Sequence, residues 1–406
     1  MFKRFSLIEL RLFIVVIILI FSLMDFAIAQ ELALNKIQLK EQLIFPLQSQ
    51  HVHGSSIVSL PNGDMLAVWF QGSGERKSDD VRIMGARLEK GKNKWSIPFL
   101  MADTPGLPDC NPVLFLNNNN KLFLVWIAVQ ANQWEESILR FRTSLDYSEP
   151  GAPKWEWQDN ILLKPGDEFA EEVREKTKDL PKDHSGWSEY ARPYDEHIAS
   201  ASEDKGKRST GWMTRIKPLL MENGKIILPL YSDGFNFSLM AISEDDGDTW
   251  RPSLPLVGRG PIQPALAQKE NGDLVALMRD SGGAPSRVQK SISSDGGKSW
   301  TASLKTDMPN TASVELLKWD KEHWLFLGND ISDGRYQLSL FMSGDEGDTW
   351  SRICFLENDE NKKDRYSYPC MIKGRDGKLH ITYSSHLSGG EKSIKYQILD
   401  PEVLLK

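Results

Sequence analysis

The sequence predicts an all-β chain folded as a six-bladed β-propeller with one long inserted loop. Three observations predict it. An eight-residue motif recurs three times at an interval of 50 residues: SEDDGDTW (Ser243 to Trp250), SSDGGKSW (Ser293 to Trp300) and SGDEGDTW (Ser343 to Trp350). A longer pattern, an apolar run, a polar turn and a second apolar run, occurs six times. One irregular stretch, 149–211, interrupts the series. A repeat of this period marks a repeat architecture, and about 50 residues is the size of one four-stranded blade.

The six hairpins account for the inner pair of strands in each blade. Four begin with a residue followed by proline: Pro112 leads NPVLF, Pro218 leads KPLLM, Pro264 leads QPALA and Pro369 leads YPCMI. Two lack the proline, Ser55 to Trp69 and Ala312 to Asn329. Asn-Gly and Asp-Gly turns between alternating apolar runs are strong hairpin signals. The eight-residue motif then supplies outer hairpins between consecutive inner ones. Its aspartates, Asp245, Asp295 and Asp345, suit a turn in which a carboxylate bonds the downstream backbone. Its glycines permit the positive φ of that turn, and its tryptophan packs on the neighbouring sheet. The motif therefore reads as structural, on the rim opposite any site. A degenerate fourth copy spans Arg142 to Trp155, carrying Ser144 and Asp146.

Composition narrows the possibilities further. Residues 1–29 read as an export signal: Lys3 and Arg4, a mostly apolar run from Leu10 to Leu23, then Ala27-Ile28-Ala29 before Gln30. An uncleaved anchor is the alternative; FSLIEL resembles a prepilin leader, but Arg4 stands where that leader needs glycine. Residues 30–406 then form one propeller domain, periplasmic or secreted, with no stable membrane association after cleavage. The net charge of −7 argues against a nucleic-acid partner. Cys110, Cys354 and Cys370 form neither a metal spacing nor a disulfide framework. His51 and His53 flank one valine and share a strand face, but no carboxylate or cysteine set accompanies them. No cofactor and no metal is expected. The 149–211 insertion is rich in charge, proline, aromatic residues and histidine, which favours a lid over a linker. Its segment Asp167 to Lys182 also reads as a short solvated helix.

From His53 to about Asp400 the chain resembles the sialidase superfamily, the Asp-box or BNR-repeat propellers. More narrowly, it resembles bacterial sialidase-like BNR proteins that open with a histidine-containing strand in place of Arg-Ile-Pro. The resemblance implies three arginines clamping a substrate carboxylate, a tyrosine nucleophile helped by a glutamate, and an aspartate acid/base. Carried over by position, Arg279 and Arg335 take the second and third arginine places. Tyr366 takes the nucleophile place, in RYSYP, and Asp80 (or Asp79) that of the acid/base. Two positions depart: His53 stands for the first arginine and Gln263 for the glutamate. A bidentate guanidinium is lost in the first exchange and a carboxylate base in the second.

The hairpins point to a site independently of that resemblance. Residues just before each inner strand converge on one rim of a propeller. They are His53, Asn111, Lys217, Gln263, Asn310 and Tyr366 or Tyr368. Lys217, among apolar neighbours, suits a substrate anion or a tyrosine whose pKa it lowers. The expected function is an exported exo-glycosidase releasing a terminal, anionic sugar from a glycan. Tyr366 is the nucleophile, Asp80 the acid/base, and Arg279, Arg335 and Lys217 are contacts, with Asn111 and Tyr368 lining the site. With Gln263 in the base position, sialoside hydrolysis should be weak and Gln263→Glu should raise it. A carbohydrate-binding propeller without turnover is the alternative, as is a glycosidase for a non-sialic sugar using His53 or His197 as acid.

Overall fold

The structure, a computed structural model, describes residues 37–181 and 194–404. Six antiparallel sheets form six blades of a propeller. Blade 1 spans 51–102, blade 2 109–160, blade 3 213–252, blade 4 261–309 and blade 5 315–358; blade 6 spans 365–399 and takes 38–43 as its outer strand. That last pairing joins Gln38–Leu43 to Lys392–Leu399, so the beginning and end of the described chain close the ring together. The signal read at 1–29 lies outside the described residues. No helix among them is long and apolar enough to cross a membrane.

Inner strands are apolar nearly throughout because each is covered by neighbouring blades on both faces. His51–Ser59 and Asp109–Leu116 are buried at all but their ends. The largest buried side chains between blades include Trp69, Trp126, Trp300 and Trp324. All three cysteines are free and buried.

Four inner strands share one irregularity near their start. The register with the second strand shifts between His53 and Ser56, Cys110 and Val113, Ile262 and Ala265, and Ser367 and Cys370. At each shift one residue adopts left-handed backbone: Gly54 (φ 63°), Asn111 (50°), Gln263 (58°) and Tyr368 (59°). These are β-bulges, which break the ladder and re-aim a side chain. The prolines that follow, Pro112, Pro264 and Pro369, sit where the ladder is already interrupted, so their missing N–H costs little. In blade 3 the interruption is wider. Met213–Thr214 and Leu219–Leu220 both pair with Ile226–Ser232, and residues 215–218 leave the sheet between them.

The motif turns have the expected construction. In the second strand of blade 3, Ile226 at the start faces Ser243, and Leu274 and Trp324 face Ser293 and Ser343 in the same way. The motifs therefore lie on the rim away from the inner-strand starts. Ser343 Oγ donates to Asp345 Oδ1 at 2.7 Å and accepts from Gly347 N at 2.9 Å, while Thr349 N donates to Asp345 Oδ1 at 2.8 Å. These donors hold the Asp345 carboxyl down, to about 2. Asp345 N also donates to Ser343 Oγ at 3.3 Å, and the degenerate copy keeps that bond, Asp146 N to Ser144 Oγ at 3.1 Å.

The insertion is not a plain loop. It holds the outer strand of blade 2, Trp157–Asn160, and helices Glu168–Lys178, Tyr194–Ser202 and Lys205–Ser209. The first helix is not solvated all round. It buries Phe169, Ala170 and Val173, and the Phe169 ring sits 5.3 Å from Phe235 of blade 3. The described part of the insertion thus shares a hydrophobic core with blades 2 and 3.

Candidate functional site

The bulges deliver side chains to the axis at the rim of the inner-strand starts. Left-handed backbone in a non-glycine residue costs energy and persists where its surroundings enforce it, often at functional sites. Tyr368 is the centre of the cluster. Its Oη accepts from Arg279 Nη1 at 3.0 Å and from Gln263 Nε2 at 3.4 Å. The guanidinium carbons of Arg215 and Arg335 lie 4.8 Å and 5.3 Å from its ring centre. The His53 ring lies 4.0 Å from it. Burial alone pushes the Tyr368 phenol up, but the charges of Arg279 and Arg335 and the Gln263 hydrogen bond outweigh it, and the net direction is down.

Around this phenol stand carboxylates from two loops. Burial raises Glu75, in the 72–81 loop of blade 1, against the pull of Arg76, Arg335 and Arg279. Burial likewise raises Asp233, at the end of the second strand of blade 3, against Arg279 and Arg76, with Glu135 adding to the rise. Asn132 Nδ2 donates to Arg76 O at 2.6 Å, and the Arg76 guanidinium lies 5.3 Å from the Trp134 ring, so the loops carrying Glu75 and Glu135 hold each other.

Histidines fill the seam between blades 1 and 6. His53 is 5% exposed, with Nδ1 2.7 Å from Ser384 Oγ. His386 Nε2 donates to Val52 O at 2.6 Å, and its ring lies 5.1 Å from His53 and 6.0 Å from His51. Burial holds all three toward the neutral form, His51 at about 4, with neighbouring positive charge adding to the effect. Among the described residues no group of His, Cys, Asp or Glu has the arrangement of a metal site.

The structure brings together His53, Gln263, Arg279, Arg335 and Tyr368 of the residues singled out from the sequence. Asn111 joins them at one remove, donating from Nδ2 to Tyr231 Oη at 3.1 Å. Three others stand apart. The Tyr366 hydroxyl turns to Asp364 Oδ2 at 3.3 Å and its ring faces Tyr383, so it does not meet the arginines. Burial, then Glu357 and Asp364, push that phenol upward. The bulge explains the difference: Tyr366 and Tyr368 are two apart, yet the left-handed turn at Tyr368 sends only the second ring to the axis. Asp80 is exposed and accepts from Ser73 N at 3.1 Å and Ser73 Oγ at 2.8 Å, closing the loop that presents Glu75. Lys217 lies toward the other end of the axis, its Nζ 2.6 Å from Glu315 Oε1. It lines a cavity of about 1200 Å³ formed by the far ends of the six inner strands. That funnel lies away from the Tyr368 cluster.

Several members escaped the sequence reading. Arg215 is 2% exposed and donates from Nη1 to Ser55 O and from Nη2 to Pro369 O, both at 3.2 Å. Its signal was a second cation in the segment that drew attention to Lys217. Tyr231 and Asp233 end the second strand of blade 3 as Arg279 ends that of blade 4, so the repeat itself marked them. Glu75 was legible only as part of a Gly-rich loop.

Comparison with known proteins agrees with this architecture. The BNR repeat-like domain family matches residues 63–214 and 209–381. A curated sialidase from Vibrio cholerae serotype O1 is 26% identical over 227 residues, covering 47% of this chain and 29% of that protein. The match thus spans less than a third of that relative. Among solved structures, a protein of unknown function from Dyadobacter fermentans superposes with a TM-score of 0.65 at 15% identity, covering 89% of this chain and 98% of that one. The NanB sialidase from Streptococcus pneumoniae gives 0.61 at 12% identity, covering 89% and 71%. A leech intramolecular trans-sialidase gives 0.62 at 13%, covering 89% and 70%. At such identities the likeness is one of fold. The chain belongs to the BNR repeat-like domain family and has the sialidase propeller fold.

Proposed function

We propose that this protein is a glycoside hydrolase that removes a terminal sugar from a glycan, with Tyr368 as nucleophile and Glu75 as acid and then base. The observation that carries the reading is a buried tyrosine hydroxyl bonded to Arg279, beside Arg335, with the raised carboxyl of Glu75 in the same cluster. In the first step Tyr368 reacts as its phenolate, which the charges of Arg279 and Arg335 favour and whose proton has gone to solvent water; Oη forms a bond to the anomeric carbon while the glycosidic C–O bond breaks. The departing oxygen takes its proton from Glu75, whose pKa burial raises above its ordinary value. In the second step Glu75 takes a proton from water, the water oxygen attacks the anomeric carbon, and the bond to Tyr368 breaks. This is the tyrosine exception to the two-carboxylate rule of glycosidases. Tyr368 replaces Tyr366 in the role, and Glu75 replaces Asp80, because their surroundings suit the chemistry.

A panel of 4-methylumbelliferyl glycosides tests the reading. At least one should release fluorophore. Tyr368→Phe should reduce that rate by roughly 10³-fold or more, whereas Tyr366→Phe should leave it within about twofold. Loss of turnover in Tyr366→Phe with retention in Tyr368→Phe would reverse the assignment. No release from any glycoside would leave a binding protein.

A further inference from the structure

We propose that Arg279 and Arg335 serve the hydroxyl of Tyr368 and not a carboxylate on the substrate, so that the sugar in the reacting subsite is uncharged. This rests on the hydrolase reading above and narrows it to a substrate class.

Three observations converge. Arg279 already spends one N–H on Tyr368 Oη, and the guanidinium groups of Arg335 and Arg215 lie against the same ring. A phenol so placed gains what a carboxylate base at position 263 would otherwise supply, a shift toward the nucleophilic phenolate. A substrate carboxylate that drew Arg279 and Arg335 to itself would remove that support at the moment of attack.

The second observation is the missing clamp. The position where the resemblance puts a first arginine holds His53, buried, engaged with Ser384 and kept neutral by burial and by the positive groups around it. The cations that remain already have acidic neighbours: Glu75 and Asp233 stand near Arg76 and Arg279. An incoming carboxylate would compete with these groups for the same guanidiniums.

The third is the hydrogen-bonding chemistry left over. Gln263 Oε1 and Arg279 Nε are buried and have no hydrogen-bond partner among the described residues. Both belong to side chains bonded to Tyr368 Oη. One is an acceptor and the other a donor. A sugar hydroxyl can satisfy either or both, so the groups left open beside Tyr368 Oη are ones that need no charge on the substrate. The inference also reverses the expectation for Gln263→Glu, since an anion beside Tyr368 should disfavour the phenolate.

Two measurements test it. The first sets neutral aryl hexosides, deoxyhexosides and N-acetylhexosaminides against the N-acetylneuraminide and the glucuronide. Release from a neutral glycoside, with the two acidic ones at least a hundredfold slower, is expected. Comparable release from an acidic one overturns the inference and leaves the hydrolase reading intact. Release from none removes the hydrolase reading. The second needs no turnover: ultraviolet difference titration of the protein against Tyr368→Phe isolates the Tyr368 phenolate. It should ionise below the ~10 of free tyrosine, move upward in Arg335→Gln and in Gln263→Glu, and stay unmoved by added N-acetylneuraminic acid. Ionisation at or above that of free tyrosine, or an upward shift on adding the acid, overturns the inference whatever the activity assays give.

Discussion

Tyr366 and Tyr368 show how much one residue's backbone can decide. Both lie in RYSYP, and period-two reasoning puts them on one face. The left-handed turn at Tyr368 breaks that equivalence, and no propensity scale signals such a turn at tyrosine. Gln263 and His53 were legible because each occupies the repeated position before an inner strand, and Arg279 through the resemblance. Glu75 was not, because its role depends on how the 72–81 loop closes through Asp80 and Ser73, a contact within the loop and outside any periodicity. If Glu75 is the acid, activity should fall as pH rises through its elevated pKa. Glu75→Gln should lower kcat by about 10²- to 10⁴-fold and flatten that alkaline limb, as read in a pH–rate profile. An unchanged limb would assign it to another group. The histidine seam gives a stability prediction of definite sign. His51 falls from 6.5 to about 4 on folding, so the unfolded chain binds the extra proton between those values and stability is lost as pH drops through that window. At about 1.4 kcal/mol per unit, this is roughly 3 kcal/mol. Asp109, raised to about 6, works in the opposite direction over much of the same range. The effect should therefore be sought in the difference between the protein and His51→Gln. That difference should shift in favour of the variant by a few kcal/mol between pH 7 and pH 4 in urea denaturation. A pH-independent difference would refute it.

At the scale of elements, the motif turns were the most legible part of the chain because their chemistry is local. Serine, aspartate and glycine close a ring of hydrogen bonds within eight residues. Ser343→Ala removes the donor to Asp345 and the acceptor for Gly347 N, and should cost about 1–3 kcal/mol in denaturant-derived stability. Because the turn lies on the rim away from Tyr368, turnover per folded molecule should be unchanged. A fall in kcat at full folding would contradict the placement. The insertion was legible only as an interruption. Its charge suggested a solvated helix, yet Phe169, Ala170 and Val173 fall one turn apart and bury a stripe against blade 3. Charged residues on the other face diluted that stripe. The break in the blade 3 inner strand was hidden for a related reason: Lys217 and Pro218 looked like another strand start, while the feature that matters is the excursion at 215–218.

For the whole molecule, the sixfold count followed from counting hairpins, but the closure did not. Residues 38–43 carry little alternation that would mark them as a strand, and their partner lies at the far end of the sequence. Pairing so distant is invisible to local patterns. Lys395 reinforces it, with Nζ 2.5 Å from both Glu41 of that strand and Glu357 of blade 5. Removing residues 1–43 should expose the edge of Lys392–Leu399, and unpaired edges recruit other chains. The shortened protein should unfold at lower temperature and self-associate in light scattering. A monomer of unaltered thermal stability would show that the ring holds without its outer seam.

Blades 3 and 6 stand opposite each other in a ring of six, so Arg215, which joins them, lies across the axis. Its guanidinium stands between the Tyr368 ring and the paired Lys217 and Glu315 of the funnel. On the proposed hydrolase reading, a glycan would then have one door, the mouth on the Tyr368 side, and a recess closed behind Tyr368 reaches only the tip of a polymer. Cleavage should then trim residues from a chain end and leave internal linkages untouched, the first sugar departing before the next takes its place.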